Sequence, residues 1–327
     1  MLKPARTWLI IDVLAATLFV EQARAFAPSN PHGDHPLQLA LSVSSAHGNT
    51  RYQLEALSEN MIVPGDFEEI KSELAFPLDV PLLGLSATWN PGPENGRWEL
   101  DLDLLFSMSD PGRYMTDRDW VDGTQIAYTE SRSQARIRRG SSTLRWRLRQ
   151  GRRSSQSLLL GLHGQDADFH LMGFEGWRRS RYSETRHAVS GTAAAIDYRV
   201  TSLTPQAGAE AAWTLGTCSQ LRIAGTAGPA FAWDRDDHLL RGRLSKGSGV
   251  GVGIHALMAL DLLPGDAGQD RLSISLVGEL HYLHTWGEMT QTWYRNEDMP
   301  AGTVIKDIPY EIESLQPVIG VRAGVAF

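Results

Sequence analysis

The chain has 327 residues, a formal net charge of −7 and 42% hydrophobic residues, which excludes a disordered chain. Its arginines are dispersed and it is mildly acidic, so it carries no nucleic-acid footprint. The single cysteine, Cys218, excludes an internal disulfide and argues against a zinc cluster.

The chain opens with Lys3 and Arg6, continues through a mostly apolar run from Trp8 to Val20, and reaches "EQARA". Ala23 and Ala25 fit the small-x-small pattern of signal-peptide cleavage, so residues 1–25 are expected to be a secretory signal, with Ala27 as a second cleavage position. The apolar run is too short for a membrane span, which needs about 20 residues. No later stretch is long and apolar enough either, and residues 26–327 are expected to form one domain, a β-barrel. His32 and His35 fall in a proline-rich leader.

Residues 97–106, "RWELDLDLLF", place Trp98, Leu100, Leu102, Leu104 and Phe106 on one face and Arg97, Glu99, Asp101 and Asp103 on the other. That period of two is a strand. "STLRWRLRQ" repeats it, with Leu144, Trp146 and Leu148 against Arg145, Arg147 and Arg149. So does "DRLSISLVGELHYLH", where Ser273, Ser275, Glu279 and His281 lie opposite the apolar set. The chain ends with Ile319, Val321, Ala323, Val325 and Phe327 in alternation with small or polar residues. An amphipathic last strand closing on phenylalanine resembles the assembly signal of bacterial outer-membrane barrels, whose apolar face meets lipid and whose polar face fills the lumen.

Short Gly- or Pro-rich turns at 90–96, 149–155, 214–220 and 263–270 alternate with longer polar connections near 59–68, 111–132, 175–186, 234–242 and 288–307. Ten strands lie between them, near 36–58, 69–89, 97–110, 133–149, 154–174, 187–214, 220–235, 243–262, 270–287 and 308–327. The expected fold is therefore all-β, a ten-stranded antiparallel transmembrane barrel with long extracellular loops and both termini at the periplasmic rim. Several strands are about twice the 9–11 residues that span a bilayer, so the barrel should stand well out of the outer leaflet. Inward Arg, Glu and Asp on strands three and four are expected to fill the narrow lumen, which argues against a diffusive pore.

Two acid-dense stretches, "YMTDRDWVD" (114–122) and "DRDDH" (234–238), fall at the extracellular rim in this topology. Asp117 and Asp119 share a face, as do Asp236 and His238. A close carboxylate pair raises the pKa of one member, and a carboxylate beside an imidazole holds its tautomer and favours its protonated form. These are parts for activating a water, with His238 as general base, Asp236 orienting it and the facing aspartates positioning the water. Solvated turns and backbone caps are the competing use of such residues.

Asp117-Arg118-Asp119-Trp120 and Asp234-Arg235-Asp236-Asp237-His238, together with "SELAFPLD", "AIDYRV" and the closing "YEIESLQPVIGVRAGVAF", resemble the omptin family of outer-membrane proteases. The resemblance runs over nearly the whole chain after the leader. It implies catalytic positions for Asp117, Asp119, Asp236 and His238, and a pocket for a basic substrate side chain at Asp234. It also implies peptide or protein substrates, no metal or organic cofactor, and lipopolysaccharide as a lipid partner and activator. Three departures stand out. The family's second acidic pocket residue has Tyr52 as its nearest counterpart, with Glu55 as a candidate substitute. The family's lipid-binding tyrosine, glutamate and arginine are replaced by Leu162, Gly164 and Asp166, and the Ala- and Gly-rich middle of the chain has no match. A non-enzymatic barrel acting as an adhesin or surface-binding protein is the alternative reading, and a lipid-modifying barrel a third.

Overall fold

The alternation read from the sequence becomes a closed wall of antiparallel strands in the computed structural model, which describes residues 37–59, 67–91, 98–109, 112–151, 153–180, 182–216, 219–262, 272–296 and 299–327. The expected signal segment, His32, His35 and Cys218 lie outside the described residues. The strands are β1 (Leu37–Ala46), β2 (Asn49–Glu59), β3 (Phe67–Pro77), β4 (Val80–Trp89), β5 (Trp98–Ser107), β6 (Arg113–Val121), β7 (Thr124–Gln150), β8 (Ser154–Arg178), β9 (His187–Thr214), β10 (Ser219–His238), β11 (Arg243–Leu262), β12 (Leu272–Trp293) and β13 (Val304–Ala326). The pairs β1/β2, β3/β4 and β5/β6 are lower and upper halves of single staves, so the ring has ten staves, as expected. It closes where β13 pairs with β1 below, Gln38 to Ala326 through Ala46 to Val318, and with β2 above, Tyr310 opposite Leu54. The first stave bends at Gly48, whose φ is +105° and where an added Cβ would lie 2.0 Å from the Leu315 carbonyl oxygen. Only glycine fits there.

The strands run further than the sequence reading placed them. β7 has 27 residues and β9 has 28, so much of the extracellular connections expected at 111–132, 234–242 and 288–307 is strand. The clearest case is 111–132, where β6 and β7 are joined by Asp122 and Gly123 alone, at φ 48° and 72°. Both central residues are left-handed, the geometry that suits a two-residue hairpin turn and that Asp-Gly favours. Asp122 Oδ1 also accepts a hydrogen bond from the Glu69 amide at 3.0 Å. The Asp-Gly pair was a readable signal, masked by the density of charge around it.

Each long stave changes phase along its length. Near the rim where β1 begins and β13 ends the exposed outward residues are apolar, for example Leu144, Trp146 and Leu148 on β7 and Ile319, Val321 and Val325 on β13. The inward residues there are charged and matched. Arg145 pairs with Glu99, with Asp101 at 3.0 Å and with Glu210 at 2.9 Å, and Arg222 pairs with Asp261 at 2.6 Å. Above the lipid belt the pattern inverts. Arg132, Gln134, Arg136 and Arg138 of β7 point outward into water, and Ala135 and Ile137 point inward. The reason is the solvent: hydrocarbon outside demands an apolar wall, whereas water outside demands an apolar core. The run "VPLLGL" records the crossover, with Val80 and Leu82 buried inside and Leu83 and Leu85 exposed outside.

The upper core is aromatic. Phe76 stacks on Tyr198 with centroids 4.4 Å apart and lies 4.9 Å from Phe169. Tyr52 meets Tyr198 at 5.6 Å and Tyr310 at 5.8 Å. This layer, with Leu74, Ile137, Leu171 and Ile312, plugs the lumen and forms the floor of the mouth.

Candidate active site

Both acidic motifs lie on strands that rise above the lipid belt. On β10 the outward face is apolar up to Phe231 and Trp233 and becomes charged at Arg235 and Asp237. The inward face at the same height presents Asp234, Asp236 and His238. On β6 the inward face presents Met115, Asp117, Asp119 and Val121, and the register slips by one residue between Asp119 and Trp120. Such a bulge re-aims side chains at a sheet end.

The ring places β6 on the third stave and β10 on the seventh, across the mouth from one another. His238 Nε2 lies 3.1 Å from Asp236 Oδ2. Asp117 sits close enough to feel Asp119, Arg241, Asp236 and Arg243 electrostatically, and its Oδ1 is buried with no protein hydrogen-bond partner. Burial and then the neighbouring Asp119 charge push the Asp117 carboxyl up to about 7. The raised member expected of a close carboxylate pair is thus Asp117. Burial alone would also raise Asp236, but the His238 imidazole, together with Arg243 and Arg241, holds it below the ordinary carboxylate value.

His238 corrects two expectations. It does not sit at a solvent-exposed rim: β10 continues to His238 itself, the connection begins only at residue 239, and the residue is 6% exposed. Its pKa is also lowered, not raised. Burial outweighs the pull of Asp236, and Arg243 and Arg241 add to the lowering. The ring is therefore held neutral, the form that can accept a proton. Arg243, the direct cross-strand partner of His238, was missed in the sequence reading. Counting its parity back through Ser245 and Gly247 along β11 would have placed it inward.

Asp234 lies one inward step below Asp236, beside the Tyr310 hydroxyl. Gly247 is its cross-strand partner, and a Cβ there would come within 2.4 Å of Asp234 Oδ1 and 2.7 Å of the Tyr310 hydroxyl. Tyr52 is inward and fully buried, donating its hydroxyl to Met289 Sδ at 3.1 Å. Glu55 is outward and paired with Lys71 at 3.1 Å, so it does not substitute as an acidic pocket residue. The three-residue offset from Tyr52 puts it on the opposite face. Gly164 and Asp166 lie on the outer face of β8 with exposed Leu162, and Asp166 binds Arg199 at 2.8 Å.

No protein-family model matches the chain, and no curated protein matches it in sequence. Among solved structures it is similar to the outer membrane protease OmpT from Escherichia coli, with a TM-score of 0.69 and 12% identity over 90% of this chain and 97% of that one. The outer membrane protein OprG from Pseudomonas aeruginosa matches with a TM-score of 0.34 and 8% identity, covering 90% of this chain and 98% of that one. The translocator domain of the autotransporter NalP from Neisseria meningitidis gives 0.33 and 10%, covering 97% of each. The protein is a ten-stranded antiparallel β-barrel of the membrane-spanning kind, with an omptin-like fold.

Proposed function

We propose that this barrel is an omptin-like endopeptidase that hydrolyses peptide bonds at its extracellular mouth. The observation that carries this reading is the buried contact of His238 with Asp236 on the wall opposite Asp117 and Asp119. Neutral His238 accepts a proton from a water held between the two walls. Asp236 fixes the imidazole orientation and stabilises the imidazolium that forms. Asp119 helps position the water, and Asp117, which keeps its proton up to about 7, donates a hydrogen bond to the oxyanion that develops on the attacked carbonyl. Asp234, in a site kept open by the absence of a side chain at Gly247, receives a basic substrate side chain. Above the belt, exposed Arg132, Arg136 and Arg138 offer phosphate contacts to lipopolysaccharide in place of the unmatched family cluster.

Refolded full-length protein incubated with a mixed peptide library, with and without lipopolysaccharide, should cleave beside Arg or Lys on one side of the bond. Cleavage of nothing under either condition would leave a barrel that binds peptides or surfaces without turnover. Asp234→Ala should erase the preference for a basic residue while leaving slow cleavage of neutral peptides, read as a change in the kcat/KM ratio for paired Arg and Leu substrates. An unchanged ratio would remove Asp234 from the pocket.

A further inference from the structure

The lumen below the aromatic layer holds a side-chain group that peptide hydrolysis does not use. His255 on β11 and His281 on β12 are directly opposed in the ladder and both point inward, with Glu279 two residues before His281 on the same face. The two rings stack with centroids 4.2 Å apart. His163, reaching in from β8 on another part of the wall, lies with its ring 5.0 Å from His281 and 6.3 Å from His255. His281 Nε2 is 2.8 Å from Glu279 Oε2, and His255 Nε2 is 3.8 Å from it.

This group differs from the rest of the lumen, where each cation meets its carboxylates. Here three imidazoles face one carboxylate, and Nε2 of both His163 and His255 is buried without a hydrogen bond. Imidazole nitrogens supply lone pairs, and a carboxylate supplies charge. That is a donor set short of a Lewis acid.

We propose that His255, Glu279 and His281, with His163 as fourth ligand, bind a borderline transition-metal dication of the zinc type. Nitrogen-rich sites select Zn²⁺ and its neighbours over Ca²⁺ or Mg²⁺, which prefer all-oxygen shells. The donor atoms of His255, Glu279 and His281 already lie within 4.8 Å of one another. Around a tetrahedral zinc at about 2.0–2.1 Å they would be about 3.3 Å apart, so binding requires the two stacked rings to turn until their in-plane lone pairs converge on the ion. Arg139 opposes the ion, since its guanidinium is 3.8 Å from Glu279, but it is tethered through donations to Gln165 and Gln316. Access is built in. All four ligands line a cavity of about 360 Å³ that also reaches Gln38 and Gln220, at the strand ends on the periplasmic side. This departs from the expectation of no metal, which rested on the single cysteine and on the family resemblance. Glu279 and His281 share a polar face in the sequence, but only ring closure brings His163 to them.

The test is a Zn²⁺ titration of refolded, chelator-stripped full-length protein, with Co²⁺ as a spectroscopic substitute. A chain carrying His32→Ala, His35→Ala and Cys218→Ser removes competing donors that are no part of the proposed site. One equivalent should bind in that background, with the visible absorption of four-coordinate Co²⁺. His255→Ala and His281→Ala should each weaken Zn²⁺ binding by about 100-fold or more, beyond what loss of an outer-shell partner costs. X-ray absorption of the zinc-loaded unsubstituted barrel should show imidazole and oxygen ligands and no sulfur, a result independent of how the variants fold. Binding below one tenth of an equivalent, or binding unaffected by both lumen substitutions, would overturn the site.

Discussion

Replacing His238 by alanine is expected to lower kcat/KM for peptide cleavage by about 10²–10⁴-fold, the range a positioned general base contributes. Because the ring lies at the last position of β10, the refolded barrel should keep its heat-modifiable migration and sheet content. Asp236→Asn should cost a similar factor by removing the charge that orients the ring. The pH profile gives a second reading of the same arrangement. His238 works when neutral, and burial lowers its pKa, so the acid limb should fall below pH ~6.5, the ordinary imidazole value. Asp117 loses its proton at about 7, leaving two negative charges beside the developing oxyanion, so the rate should decline above that point. Asp117→Asn holds that position neutral and should abolish the alkaline decline. A His238→Ala protein that cleaves at the unsubstituted rate would place the chemistry elsewhere or assign the observed cleavage to a contaminant.

Phe76→Ala should destabilise the barrel by about 3–5 kcal/mol, the usual loss for emptying a buried aromatic site. Phe76 is fully buried between Tyr198 and Phe169, and Tyr198 is the cross-strand neighbour of Asp236. The cavity would therefore open beside the Tyr198 that supports Asp236, the residue that orients the proposed base, and kcat should fall along with stability even though no substrate contact is removed. Reversible denaturant unfolding in lipid vesicles measures the first effect, and turnover at saturating peptide the second. A loss under about 1 kcal/mol would mean that the aromatic layer is filler that repacks easily.

The wall of the barrel was legible because a strand's alternation is local. Leu144, Trp146 and Leu148 against Arg145 and Arg147 declare their faces whatever the rest of the chain does. The upper halves were harder. There water bathes the outer wall, apolar and charged residues exchange sides, and stretches such as 111–132 present so many outward charges that they read as loop. The candidate site residues were legible as types and as same-face pairs, Asp117 with Asp119 and Asp236 with His238.

Sequence by itself determined the class of fold, the number of staves and the identities of the five residues at the mouth, since each depends on spacing within one strand or on turns between neighbours. Only the tertiary structure decided that His238 is buried and held neutral, that Glu55 points away from the mouth while Tyr52 packs beneath it, and that His163 meets His255 and His281. Those facts depend on which residues of distant staves come to the same height across the lumen. That in turn is set by strand tilt and by the register with which β13 closes on β1 and β2, quantities summed over the whole ring and written in no single segment of it.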